Sequence, residues 1–188
     1  PINTKSRILE VTWKLLESGN KAVRMSDIAK AAGVSRQALY LHFPNRAELL
    51  VATTRHIDTV KNVDERLARS RSASSGIERL RAFVEAWGGY IPEIHGVSIA
   101  LRALRNSDKE AAAAWEDRMQ AVRHGCEAVV HAISEDGYLK GELTEVAAVD
   151  LIWTLLSVEN WERLVHECGW SQSFYEQTLK QIAEASLI

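Results

Sequence analysis

The chain has 188 residues, 46% apolar and 26% charged, with a formal net charge of −2. That is enough apolar material for a packed core in one large or two small domains, and it excludes a wholly disordered chain. No run reaches the ~20 apolar residues of a bilayer span, and the two cysteines, Cys126 and Cys168, lack the spacing of a disulfide scaffold or zinc ribbon.

The expectation is a soluble cytoplasmic protein whose thiols are free and buried. The chain begins Pro-Ile-Asn without an initiator methionine or signal stretch, which reads as trimming at the N-terminus.

Three prolines and ten glycines punctuate the chain, and strand-like alternation is nearly absent, so the fold class expected is all-α. Helix one is expected over 4–18, with Ile8, Leu9, Val11, Leu15 and Leu16 as its apolar stripe and Gly19-Asn20 as its stop. Ser26 is expected to cap a short helix over 27–32, with Asp27 in its first turn. Gly33 breaks that helix, and Ser35 caps the next, over 36–42. Pro44-Asn45 ends it, and Asn45 caps a fourth helix running from about 45 to 69. The segment RSRSASSG, 69–76, separates a head from a body. Further helices are expected over 76–92, 97–105, 107–135, 144–168 and 171–186, with a break at Pro92.

Charge divides the chain the same way. Residues 1–70 carry 12 Lys/Arg against 7 Asp/Glu, and the remainder carries 11 against 18. A basic head on an acidic body points to a polyanion at one end, although solvated helix faces are often this biased.

Residues 26–40, SDIAKAAGVSRQALY, have helix-turn-helix spacing. Ala29 is small where two helices cross, Gly33 supplies a positive-φ turn, and Ile28, Val34 and Leu39 close a miniature core. Arg36 and Gln37 then sit at the start of a helix that fits a major groove. Arginine pairs with guanine and glutamine with adenine.

The run SDIAKAAGVSRQALYLHFPNRAELL, 26–50, resembles the DNA-binding signature of TetR-family transcriptional regulators. It joins A-x-x-x-G-V-S, L-Y-x-H-F and a basic residue opening the next helix. The resemblance implies a helix-turn-helix DNA-binding domain over 1–46. A ligand-binding and dimerisation domain follows over 47–188, with the 45–69 helix connecting them. It implies that Ser26, Ser35, Tyr40, His42 and Arg46 bind phosphates, that Arg36 and Gln37 reach bases, and that Phe43 is a buried anchor. Ser26 stands where threonine is commoner and Arg46 where lysine is. Each position also has a plainer reading: Tyr40 as a half-buried aromatic, His42 as a turn residue, and Gln37, Lys21 and Lys30 as solvated.

In the body, residues 146–165 are apolar around much of their circumference, followed by Trp170, Phe174, Tyr175, Leu179 and Ile182. By the same resemblance these helices pair across a two-fold axis in a homodimer, through Ile152, Leu156, Trp161, Leu164, Tyr175 and Leu179. Five of the six tryptophans lie in the body. Phe83, Trp87, Tyr90, Arg102, Trp115, Met119, His124 and Trp153 are the candidate lining of a small-molecule pocket, with an ordinary helical core as the competing reading.

No G-x-S-x-G, Walker, G-x-G-x-x-G or H-E-x-x-H pattern occurs, so neither catalysis, a cofactor nor a metal is expected. The function expected is a regulator, more a repressor than an activator, that leaves a palindromic double-stranded operator when an unidentified effector binds. The alternative is an effector-independent architectural or co-regulatory DNA-binding protein.

Overall fold

The computed structural model describes residues 3–19 and 23–188; Asn20 and Lys21 lie outside them. Among the described residues every regular element is helical. These are α1 (Thr4–Glu17), α2 (Met25–Ala32), α3 (Arg36–His42), α4 (Arg46–Val60), α5 (Val63–Arg71), α6 (Gly76–Leu104), α7 (Lys109–Glu135), α8 (Glu145–Leu155) and α9 (Val158–Trp161). A π-helical turn over Glu162–Glu167 and α10 (Gln172–Leu187) complete the chain. No helix among the described residues is long and apolar enough to cross a membrane.

The contacts group into two compact units. The first takes the chain up to Asn62 together with Ile94–Met119, and the second takes Val63–Glu93 with Gln120–Ile188. These units are drawn differently from the 1–46 and 47–188 division, because parts of α6 and α7 pack with the N-terminal helices.

In the first unit α1 packs on α2 and α4, and α2 packs on α3. Ile8, Leu16, Ile28, Leu39, Phe43, Leu49, Leu50 and Ile57 form its core. Helix ends follow the expected chemistry at Ser35 and Asn45. The Ala38 N–H donates to Ser35 Oγ at 3.0 Å. Asn45 and Glu48 bond reciprocally: the Glu48 N–H donates to Asn45 Oδ1 and the Asn45 amide to Glu48 Oε1, each at 2.9 Å. At α2 the expectation fails. The cap position is Arg24, with no side-chain bond, and Ser26 lies inside the first turn, because buried Met25 already belongs to the helix.

The expected helix over 45–69 is two helices. Asn62 takes a φ of 54° between α4 and α5, a left-handed conformation that asparagine tolerates better than most residues. The expected 144–168 helix is also divided. Leu156 ends α8, and Ser157 caps α9 by accepting from the Asn160 N–H.

The opposite correction applies at Pro92. The expected break there does not occur, and α6 runs unbroken for 29 residues with the proline inside it. Proline removes the N–H that would bond the carbonyl four residues earlier, here that of Gly88. That carbonyl instead accepts from Gln172 Nε2 at 2.9 Å, while Gln172 Oε1 accepts from the Trp161 indole N–H at 2.8 Å. One glutamine from α10 thus satisfies a carbonyl of α6 and a donor of α9. The second unit buries Leu80, Val84, Ile91, Val130, Ile133, Ile152, Leu179 and Leu187. Cys126 is buried, as expected, and its thiol is pushed up to about 12 by burial. Cys168 is exposed, because it follows a π-helical turn with no buried residue.

Gln172→Ala strips partners from both the Gly88 carbonyl and the Trp161 N–H. It is expected to cost about 2–4 kcal/mol, read as a lower urea midpoint with an unchanged slope. A loss within ~0.5 kcal/mol would show that the proline-interrupted helix does not depend on this side chain.

Candidate nucleic-acid interface

Helix α3 has seven residues, too few to be stable alone. Leu39 and Phe43, one turn apart, are buried and pin it, and the Phe43 ring also lies 5.7 Å from Lys5 Nζ. Gly33, with a φ of 64°, reverses the chain between α2 and α3, and the Val34 N–H closes the turn on the Ala29 carbonyl at 3.0 Å.

With Leu39 inward, the ~100° per residue of an α-helix turns Gln37, Tyr40 and Leu41 away from the core, and Arg36 stands free as the first residue of α3. All four are exposed, as are His42, Ser35 and Ser26. Ser35 uses its oxygen as a cap acceptor, and its own O–H proton is not spent in that bond. Leu41 had no role in the sequence reading, yet it is 81% exposed and lies one turn beyond Gln37.

Arg46 departs from the other expected phosphate ligands. Its side chain is only 13% exposed and every nitrogen is engaged within the chain. Nε donates to the Val23 carbonyl. Nη1 donates to Asp108 Oδ1 at 3.0 Å and to Glu110 Oε2 at 2.9 Å, and Nη2 lies 2.9 Å from Asp108 Oδ2. Asp108 also accepts from the backbone N–H groups of Glu110 and Ala111, capping α7.

Further along, Arg55 reaches Asp117 at 2.7 Å, and Arg118 bridges Asp117 and Asp58. Arg46 and Arg55 are nine positions apart, as are Asp108 and Asp117. α4 and the start of α7 therefore run side by side in the same direction over about 13 Å.

The candidate pocket residues separate. Arg102, Trp115 and Met119 belong to the first unit; Phe83, Trp87, Tyr90, His124 and Trp153 belong to the second. Phe83 packs so tightly on Gly125 that a Cβ there would fall 2.4 Å from the ring. Trp87 donates its indole N–H to the Leu156 carbonyl at 2.7 Å and meets the Tyr90 ring edge-on at 5.9 Å. Arg123 lies 5.4 Å from the Trp153 ring centre. His124 is a correction: it is exposed, 3.3 Å from Gln120 Nε2, on the solvent side of α7. A residue that spacing did not single out as polar lining is Tyr175. It is fully buried, its hydroxyl has no hydrogen-bond partner, and burial followed by the Glu176 charge pushes its pKa up.

The expected dimer residues are corrected too. Ile152, Leu156, Trp161, Tyr175 and Leu179 are buried inside the single chain and Leu164 is partly so. They face the core because the apolar circumference of these helices is wider than one interface requires. The exposed apolar residues of the packed pair α8 and α10 are Val146, Leu151, Phe174 and Ile182.

A pinned short helix displaying a polar face, set behind a glycine turn, is a helix-turn-helix arrangement. Residues 8–53 match the family model described as bacterial regulatory proteins, tetR family. The transcriptional activator FasR of Mycolicibacterium smegmatis is 31% identical over 140 residues, 73% of this chain and 61% of that relative. The regulator TtgR of Pseudomonas putida is 32% identical over 78 residues, 41% of this chain and 36% of that relative. This chain thus spans less than two thirds of the length of either.

Among solved structures, the fold is shared with FadR of Bacillus subtilis in complex with stearoyl-CoA. The TM-score is 0.75 at 15% identity, covering 97% of this chain and 98% of that one. It is also shared with a Saccharomonospora viridis regulator structure in complex with choline, at a TM-score of 0.72 and 20% identity, covering 97% and 96%. Over residues 8–53 the chain belongs to the TetR family.

Burial alone would raise the Asp108 carboxyl, but the bonds from Arg46 and from the α7 backbone hold it below its ordinary 3.8. Such an acid adds stability that is whole above the ordinary value and is lost as pH falls through the lower folded-state value. Asp108→Asn, which keeps a cap, is expected to flatten the acid limb of stability below about pH 4. Parallel acid limbs in urea unfolding from pH 5 to 2 would count against it.

Proposed function

We propose that this chain is a transcriptional regulator that reads a palindromic double-stranded operator as a homodimer and changes its occupancy when a small molecule binds. The observation that carries the reading is the outward face of α3. Arg36, Gln37, Tyr40, Leu41 and His42 are exposed together while Leu39 and Phe43 hold the helix from behind. Arg36 and Gln37 supply guanine- and adenine-reading chemistry, Leu41 an apolar contact for a thymine methyl, and Ser26, Ser35, Tyr40 and His42 donors for phosphates.

Selection from a random-sequence duplex pool tests this. The native protein is expected to enrich a two-fold symmetric site with half-sites roughly 34–36 Å apart. Gln37→Ala is expected to relax preference at one position per half-site by about 1–3 kcal/mol, while Tyr40→Phe weakens all sequences alike. No enrichment by the native protein would end the proposal.

A palindromic site requires two heads, and the exposed Val146, Leu151, Phe174 and Ile182 on α8 and α10 supply an apolar patch for a second copy. The expected homodimer therefore uses these residues in place of the buried set. Leu151→Glu with Ile182→Glu is expected to give a folded monomer at micromolar concentration by sedimentation velocity. A persistent dimer would move the interface elsewhere.

The effector is proposed to bind in the second unit, where the buried Tyr175 hydroxyl lacks a partner. An unpaired buried hydroxyl costs ~1–3 kcal/mol, which a ligand donor or acceptor would recover. The related folds are recorded with ligands as unlike as stearoyl-CoA and choline, so the fold does not select a ligand class. With FasR named an activator, release from DNA on binding effector is proposed for this chain as the simplest population shift. Tryptophan fluorescence and thermal melting against a compound panel separate this from the effector-independent alternative.

A further inference from the structure

Resting on the DNA-binding reading above, we infer that Asp108 and Glu110 act as an intrachain decoy for DNA phosphate. They hold Arg46 out of the nucleic-acid interface, so that it works as a latch between α4 and α7 in place of a backbone contact.

The geometry carries this in three parts. Arg46 opens α4 only four positions after exposed His42, at an end of the helix where anions are favoured. An arginine there is well sited for a phosphate. Instead its guanidinium meets a carboxylate in the two-pronged arrangement that arginine also offers to phosphate, Nη1 on Oδ1 at 3.0 Å and Nη2 on Oδ2 at 2.9 Å. A second acid, Glu110, shares Nη1, and the Val23 carbonyl takes Nε. The chain thereby uses the same donors that a phosphate would need.

Next, the arginine is suited to this arrangement in a way that lysine is not. A rigid planar fork addresses a backbone carbonyl before α2 and two carboxylates at the head of α7 at once. The commoner lysine of the family signature presents a single compact ammonium. The replacement noted in the sequence thus coincides with the place where a fork has three acceptors to serve.

Lastly, Asp108 is held in place independently of Arg46. Asp108 is fixed by capping α7, and α7 is aligned along α4 by Arg55, Asp117, Arg118 and Asp58. A DNA phosphate must therefore displace a carboxylate that is already positioned and a second beside it, and the head binds with one backbone contact fewer than its sequence signature suggests.

Salt dependence counts phosphate contacts, at about 0.9 in the slope of log K against log salt for each. The duplex enriched by the native protein would be titrated between 50 and 200 mM KCl, by fluorescence anisotropy, with four proteins: native, Arg46→Met, Asp108→Asn/Glu110→Gln, and the triple variant. The expected results are an unchanged slope for Arg46→Met, and a slope steeper by about 2 per dimer for the double variant, with tighter binding at low salt. The triple variant is expected to return to the native slope, which separates release of Arg46 from the mere loss of acidic charge. Asp108→Ser, which also caps, replaces Asp108→Asn should the latter not fold.

A slope flatter by about 2 for Arg46→Met would overturn the inference, because Arg46 would then be a phosphate contact in the native protein. A double variant with native slope, or a triple variant that keeps the gain, would also overturn it. Failure of the native protein to bind any duplex strikes at the functional proposal instead, so the two failures are distinguishable.

Discussion

A helix of seven residues has almost no stability of its own, so the display of α3 depends on the burial of Leu39 and Phe43. Two apolar side chains at i and i+4 fix both the position and the rotation of the helix. Once they point inward, helical geometry turns Gln37, Tyr40 and Leu41 away from the core. α1, α2 and α4 supply the surface into which that pair is set, and the left-handed glycine at 33 sets where α3 begins. Recognition chemistry is therefore downstream of a packing constraint.

The second unit poses a different problem, how a long helix survives an internal proline. Pro92 leaves the Gly88 carbonyl without its usual donor, and a buried carbonyl cannot stay unpaired cheaply. Gln172, 84 positions away, resolves this and at the same time holds the Trp161 indole N–H. The Trp87 indole is likewise tied to a backbone carbonyl. These two tryptophans thus serve helix junctions, which is why aromatic richness in the sequence overstates the number of side chains available to a ligand. The buried Tyr175 hydroxyl, which none of these bonds reaches, is the polar group in this unit left with something to gain from one.

Part of the charge in the first unit is used inside it. The α4 arginines at 46 and 55 and Arg118 of α7 meet Asp58, Asp108, Glu110 and Asp117 across two helices running in register. The basic excess of residues 1–70 consequently overstates the positive charge that an approaching polyanion would meet. The pairs of Arg46 and Arg118, partly buried and multiply bonded, are less screened by salt than exposed ones such as that of Arg55. They are better suited to holding two helices in register than to attracting a partner from solution.

Local rules were enough for much of this molecule. Helical periodicity, Ser35 and Asn45 at helix starts, Gly33 at the turn and the aromatic order around Phe43 were all legible, because each is decided within about a turn of chain. The outward face of α3 follows from the same short range. Where the reading failed, the cause was distant. Pro92 reads as a break because nothing nearby announces Gln172, and 45–69 reads as one helix because Asn62 is a left-handed residue only in context.

Family resemblance places Ile152, Leu156, Trp161, Tyr175 and Leu179 at an interface, but periodicity identifies an apolar face without saying what covers it. Arg46 is the sharpest case. Its sequence position specifies a cation at the head of α4, and only the arrival of Asp108 and Glu110 from more than sixty residues away decides where that cation points. Sequence alone determined the all-helical class, the turn and the class of chemistry on α3, since these are set by neighbours along the chain. Tertiary structure decided which apolar faces are core and which charges are already spent, since both depend on partners that only folding brings together.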